Sequence, residues 1–169
     1  VGGDIPKESY SAQKTEFFHV PIYGNGVGNN SLCGYTNKKI VKRPCVTIAA
    51  RGTIGYCALR TEPFFPVVRL ICALPNNSIL VGFLKYAIEV LKFQVPTAGI
   101  PQLTIPMLKT YSIPLPPLEE QQRIVSILDR FDALCNDLQS GLPAEIEARK
   151  KQYEYYRDKL LTFKESTAS

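Results

Sequence analysis

The sequence predicts a mixed α+β fold. A globular domain with a small twisted β-sheet and a few helices is expected over residues 1–117, followed by a helical, coiled-coil-like arm over 118–169. Three observations predict it. Short β-rich runs bounded by Gly, Asn and Pro recur through the first half of the chain. The Pro-rich stretch Ile113-Pro114-Leu115-Pro116-Pro117 closes that part and leads into Leu118-Glu119-Glu120-Gln121, a well-made helix start. Apolar residues then recur at steps of three and four, at Ile124, Ile127, Phe131, Leu134 and Leu138. This spacing suits an ordinary amphipathic helix at least as well as a coiled coil.

The elements follow in order. Phe17 to Tyr23 is β-rich with partial alternation, and Pro21 points to an edge or a strand end. Gly24-Asn25-Gly26-Val27-Gly28-Asn29-Asn30-Ser31 is a long turn signal. No helix-forming run follows it, which argues against a dinucleotide-binding loop. Cys45 to Arg51 and Tyr56 to Leu59 read as two strands joined by Gly52-Thr53-Ile54-Gly55, with Arg51 at the shoulder. Val67 to Ala73 is a largely apolar fourth strand. Asn77 or Ser78 is placed to cap a helix presenting Leu80, Phe83, Leu84, Ala87, Ile88 and Leu91. Residues 96–106, with Pro96, Pro101 and Pro106, read as irregular, and Tyr111-Ser112-Ile113 as a short strand.

Two helices make the arm. The first, about 118–140, opens near Pro117 and carries Glu119 and Glu120 in its first turn, where the helix dipole favours negative charge. Gly141 and Pro143 end it. The second, about 143–163, would run roughly 30 Å at about 1.5 Å per residue. Its apolar stripe of Ile146, Tyr153, Tyr156, Leu160 and Phe163 calls for a partner helix. The second helix is therefore the better candidate for a long intersubunit contact.

Charge divides the chain at the same place. Residues 1–117 hold twelve Lys/Arg against five Asp/Glu, a balance of +7, and residues 118–169 hold eight against ten, a balance of −2. A basic globular part points to a polyanion, and a balanced helical part to a protein partner. The five cysteines form no C-x-x-C pair and His19 is the only histidine, which argues against a zinc site and for free thiols in a reducing cytoplasm. The apolar stretch from Ile79 to Leu91 is interrupted by Lys85 and Glu89, so no transmembrane helix is expected. Val1-Gly2-Gly3-Asp4 shows no signal-peptide pattern and reads as part of a longer chain.

Catalytic chemistry is poorly supplied. Nothing forms a G-x-S-x-G elbow, and Glu119 and Glu120 diverge by about 100° on a helix. Recognition chemistry is better supplied. Lys38, Lys39, Lys42 and Arg43 cluster after the Gly/Asn loop, and Arg51 stands at the hairpin turn. Asn25, Asn29, Asn30, Thr53 and Gln102 join them in loops, where specificity contacts usually lie. Lys and Arg neutralise phosphates, while Arg, Asn and Gln read base edges bidentately. Taken singly, each is as readily a solvated side chain; clustering raises the group above that reading.

The chain resembles the DNA-specificity subunit of type I restriction–modification enzymes, specifically one target recognition domain with its helical conserved region. The resemblance rests on Val20-Pro21-Ile22-Tyr23-Gly24-Asn25-Gly26, Ala50-Arg51-Gly52-Thr53-Ile54-Gly55, Ile113-Pro114-Leu115-Pro116-Pro117-Leu118-Glu119-Glu120-Gln121 and the helix from Leu142 to Leu161. It implies a non-catalytic, cytoplasmic subunit that recognises double-stranded DNA and directs adenine methylation and DNA cleavage by partner subunits. Residues 1–117 would bind DNA. Residues 118–169 would serve spacing, dimerisation and methyltransferase docking, with S-adenosylmethionine, ATP and Mg²⁺ on the methyltransferase and restriction/translocase subunits rather than here. A half-subunit, an excised domain and a piece of a two-domain subunit all fit. The competing reading is a protein–protein adaptor with a coiled-coil arm and no DNA specificity.

Overall fold

The computed structural model describes residues 2–67, 69–96, 99–137 and 143–162. Among these residues two small sheets and four α-helices form: β1 (Val20–Tyr23), β2 (Leu32–Thr36), β3 (Cys45–Ile48), β4 (Cys57–Arg60), β5 (Phe65–Pro66), β6 (Ile71–Ala73), α1 (Val81–Glu89), α2 (Ile105–Leu108), α3 (Leu118–Asp137) and α4 (Pro143–Leu161). One sheet has the order β2-β1-β5, with β1 antiparallel to β2 and parallel to β5. The other has the order β4-β3-β6 and is antiparallel throughout.

The β3–β4 hairpin forms where Gly52 and Gly55 allow the turn, both at positive φ. All four residues of β3 are buried, as befits a central strand, and Val46, Ile48 and Ala50 share a core with Ile71, Ile88 and Leu103. Arg60 ties the two sheets together. Its Nε donates to Thr47 Oγ1 of β3 at 3.3 Å, its Nη2 to Ser31 Oγ beside β2 at 2.9 Å, and its guanidinium lies 3.6 Å from the centre of the Tyr23 ring of β1.

Several expectations are corrected. The run Val67–Ala73 is not one strand, because Arg69 adopts a left-handed backbone (φ 64) and turns the chain between β5 and β6, which belong to different sheets. The first β-run starts only at Val20, since Phe18 is held in a bend by its N–H donating to Thr15 Oγ1. Tyr111–Ile113 forms no strand; the Tyr111 hydroxyl accepts from the Gln94 N–H at 2.8 Å and its ring packs edge-on against Phe93, holding the segment away from a sheet. Strands β2 and β5 and helix α2 were not expected, and β5 lies ahead of the Val67–Ala73 run. Strand β2 follows the Gly/Asn loop, and α2 opens with Thr104, whose side chain accepts from the Met107 N–H. Neither Asn77 nor Ser78 caps α1, whose N-cap is Leu80. The cap comes instead from the arm.

That cap is Gln121, fully buried. Its Oε1 accepts from the Leu80 N–H at 2.8 Å, and its Nε2 donates to the carbonyls of Ser78 at 2.9 Å and Pro116 at 2.8 Å. One side chain thus satisfies the entry to α1 and the entry to α3 together. Around it Ile124 and Leu128 of α3 pack with Phe83, Tyr86 and Ala87 of α1 and Leu161 of α4. The first arm helix therefore shares a core with the domain, and α4 packs back on α3. Residues 138–142 and 163–169 lie outside the described residues, so the expected end of the first helix near 140 falls there, whereas α4 ends at Leu161, short of the expected 163.

Candidate nucleic-acid interface

Three segments converge beside the β3–β4 turn. Leu103, buried in the core, donates its N–H to the Ala50 carbonyl at 2.9 Å, which brings the loop before α2 alongside the turn. Gln102 then faces Arg51, and its Oε1 accepts from Arg51 Nε at 3.1 Å and Nη2 at 3.0 Å. The same oxygen accepts from Nη1 of Arg69, on the β5–β6 turn. The Arg69 backbone is itself held: its N–H donates to the Gly2 carbonyl at 3.3 Å, the Gly2 N–H to the Leu70 carbonyl at 3.0 Å, and the Leu70 N–H to the Val67 carbonyl at 3.2 Å. Arg69, Ile71, Gln102, Leu103, Thr104 and Ile105 line an open cleft of ≈ 320 Å³ there.

The other candidates are distributed differently. Asn25 works inside the fold: its Oδ1 accepts from the Ala50 N–H at 2.8 Å. Its carbonyl accepts the Thr53 hydroxyl at 3.0 Å, so Asn25 and Thr53 lock the Gly/Asn loop to the hairpin turn. Gly28 adds a third tie, its N–H donating to the Tyr56 hydroxyl at 3.0 Å. Asn29 and Asn30 are exposed on the short 3-10 turn Gly28–Ser31. Lys38, Lys39, Lys42 and Arg43 are all exposed on the segment between β2 and β3. Among the described residues neither these four nor Arg51 and Arg69 have a carboxylate partner, whereas Arg123, Arg149, Lys151 and Arg157 in the arm each pair with an acid.

The arm residues find their helix partner within the chain. Tyr153 and Leu160 of α4 pack onto the cluster around Ile124 and Leu128, and the Tyr156 ring stacks on Phe131 of α3 with centroids 6.0 Å apart. The stripe therefore does not depend on a helix from elsewhere. An apolar groove of ≈ 460 Å³ remains open along this pair, lined by Ile127, Phe131, Tyr156, Lys159 and Leu160. The Ile146 side chain and Phe163 lie outside the described residues.

Beneath the hairpin turn the arm also meets a polar cluster. The Tyr86 hydroxyl donates to Asp129 Oδ1 at 2.6 Å, and Lys85 pairs with Glu89 at 3.3 Å and Asp132 at 3.4 Å. Burial, partly offset by Lys85, holds the Glu89 carboxyl above the usual glutamate range. Burial likewise pushes the Cys57 thiol up to about 12, which keeps it protonated and inert. No group of three His, Cys, Asp or Glu able to hold a metal ion occurs among the described residues, and none of the helices described is long and apolar enough to cross a membrane.

Two residues escaped the sequence reading. Arg69 carried one signal, a cation interrupting the apolar run Val67-Val68-Arg69-Leu70-Ile71. Gln121 carried none beyond its place in the Leu-Glu-Glu-Gln helix start.

The fold and site define a mixed α+β domain that presents, on three loops, cations with no carboxylate partner among the described residues, and carries a helical hairpin. Comparison with known proteins makes the assignment narrower. Residues 1–148 match the type I restriction modification DNA specificity domain. A putative type I specificity subunit of Mycoplasma pneumoniae is 36% identical over 163 residues, covering 96% of this chain and 48% of the relative. A putative type I restriction enzyme specificity subunit of Haemophilus influenzae is 38% identical over 171 residues, covering 95% of this chain and 42% of the relative. The HsdS subunit of Thermoanaerobacter tengcongensis has the same fold, with a TM-score of 0.60 and 19% identity over 95% of this chain and 41% of that one. The chain belongs to the type I restriction–modification DNA specificity domain family. It spans about half the length of the curated relatives that match nearly all of it.

Proposed function

We propose that this chain is a non-catalytic, cytoplasmic DNA-recognition unit of a type I restriction–modification system. Residues 1–117 bind duplex DNA and residues 118–169 carry protein contacts. The observation that supports it most strongly is the partition of charge. Arg123, Arg149, Lys151 and Arg157 in the arm each pair with a neighbouring acid, while Lys38, Lys39, Lys42, Arg43 and Arg51 stand without a carboxylate partner among the described residues. Unpaired cations on loops gain most from a phosphate backbone, through release of its condensed counterions.

The arm supports the second half of the proposal. The open apolar groove on α3 and α4 is a surface for a second recognition unit or a methyltransferase subunit. On this reading S-adenosylmethionine, ATP and Mg²⁺ reside on the methyltransferase and restriction partners, which carry out the adenine methylation and cleavage that this chain directs.

Fluorescence anisotropy of labelled random duplex DNA across a salt series tests the DNA-binding half. Log affinity should fall linearly with log salt, with a slope of about −0.9 per phosphate neutralised. Absence of binding at low salt, or a flat dependence, favours a protein adaptor whose basic charge is incidental.

A further inference from the structure

We infer that Arg51, Gln102 and Arg69 form one base-reading element, in which Gln102 holds two guanidiniums against the paired acceptors of a guanine edge. The inference rests on the DNA-recognition reading above and goes further by naming what this corner of the interface reads.

The hydrogen-bond inventory narrows the ligand. Gln102 Oε1 already accepts from Nε and Nη2 of Arg51 and from Nη1 of Arg69, so its acceptor capacity is used. Arg51 keeps the fork formed by its two terminal nitrogens, and Arg69 keeps the fork formed by Nε and Nη2. The Gln102 amide adds two further donors. Every group left over therefore donates, and the cleft beside them takes a ligand with two adjacent acceptors. The guanine major-groove edge offers N7 and O6 in that arrangement, the commonest match for an arginine fork.

A phosphate also offers paired acceptors, but it accepts from many directions and needs little alignment. This site is aligned from three sides. Arg51 leaves a hairpin turn, Gln102 is anchored through the Leu103–Ala50 backbone bond, and Arg69 sits on a left-handed turn clamped by backbone bonds through Gly2 and Leu70. A left-handed arginine is a conformation the surrounding structure must impose, and such positions cluster where a side chain has to be aimed. Two like charges share a neutral acceptor with no carboxylate partner among the described residues. The pair is oriented without being neutralised. Gln102 is in this sense a positioning residue, and the exposed Lys38–Arg43 segment is left for the backbone.

The test is selection of the whole chain on duplexes with a randomised core, followed by sequencing, for wild type, Arg69→Lys, Gln102→Ala and Arg69→Gly. Wild type should enrich guanine at a defined position. Each variant should flatten that preference by roughly 5- to 150-fold, the worth of one bidentate base contact, while changing the salt slope by less than about 1. Arg69→Gly also guards against misfolding, since glycine adopts the left-handed turn without strain and should keep the melting temperature near that of wild type while the preference flattens. Retention of the guanine preference in the variants overturns the inference. So does a uniform loss across all sequences with the slope reduced by about 1, which marks a phosphate contact. A wild-type chain that binds with a steep salt slope but enriches no guanine overturns this inference alone. A chain that binds no duplex overturns the DNA reading beneath it as well.

Discussion

Replacing Gln121 with leucine should cost this chain about 3 kcal/mol of stability. The substitution roughly conserves volume at a site with 0% exposure and removes one acceptor and one amide donor pair. Three hydrogen bonds disappear, those to the Leu80 N–H and to the carbonyls of Ser78 and Pro116. At a net 0.5–1.5 kcal/mol each, their sum is about 3 kcal/mol. A backbone N–H left unsatisfied at the entry to α1 pushes the cost upward. Equilibrium urea unfolding followed by circular dichroism measures it, with the stability difference read from the midpoint at unchanged slope. Gln122→Leu is the control: Gln122 is exposed and among the described residues its side chain bonds only Ser126, so its change should stay within about 0.5 kcal/mol. A Gln121→Leu loss below about 1 kcal/mol, or one equal to the control, would refute the claim that this residue joins domain and arm.

Three further outcomes are expected. Changing Lys38, Lys39, Lys42 and Arg43 together to Gln should make the salt dependence of duplex binding shallower by about 0.9 for each phosphate no longer neutralised, at most about 3.6; an unaltered slope would remove this segment from the interface. Arg60→Ala should destabilise by about 2–3 kcal/mol through loss of its bonds to Thr47 and Ser31 and its stacking on Tyr23, and a urea midpoint matching wild type would show that the sheets do not need this tie. The Glu89 carboxyl has a raised folded-state pKa. Its contribution to stability is therefore fully present below the ordinary glutamate value, about 4.3, and is lost as pH rises through the raised value. Glu89→Gln should flatten this part of the stability–pH curve, and parallel curves for the two proteins would contradict the assignment.

What the sequence made legible was governed by local chemistry. Pro117, Glu119 and Glu120 mark the start of α3 because a helix N-terminus accepts a missing N–H and favours acids wherever it occurs. The β3–β4 hairpin shows itself through Gly52 and Gly55, whose positive φ the turn requires. Features set by distant neighbours were not legible. Gly34 breaks the β-pattern of β2, yet it belongs there because a side chain would collide with the Tyr10 ring and the Ser11 carbonyl. Apolar periodicity carried Val67–Ala73 across Arg69 as one strand, since hydrophobic pattern does not report the sign of φ. The candidate site divides the same way. Arg51 was visible from its place at a turn, but its bond to Gln102 spans 51 residues, and that of Arg69 to the same side chain spans 33. Asn25 looked like a base reader because its type suits the task, and only its bond to Ala50 shows that it holds two loops together.

The most direct test of the central claim is the ratio of two affinities at one salt concentration. A duplex recovered by selection is compared with its scrambled counterpart on the whole chain. Sequence-specific recognition predicts tighter binding of the selected duplex by roughly 10³-fold, the lower end of the usual range for specific over non-specific binding. Equal affinities for the two duplexes would contradict it.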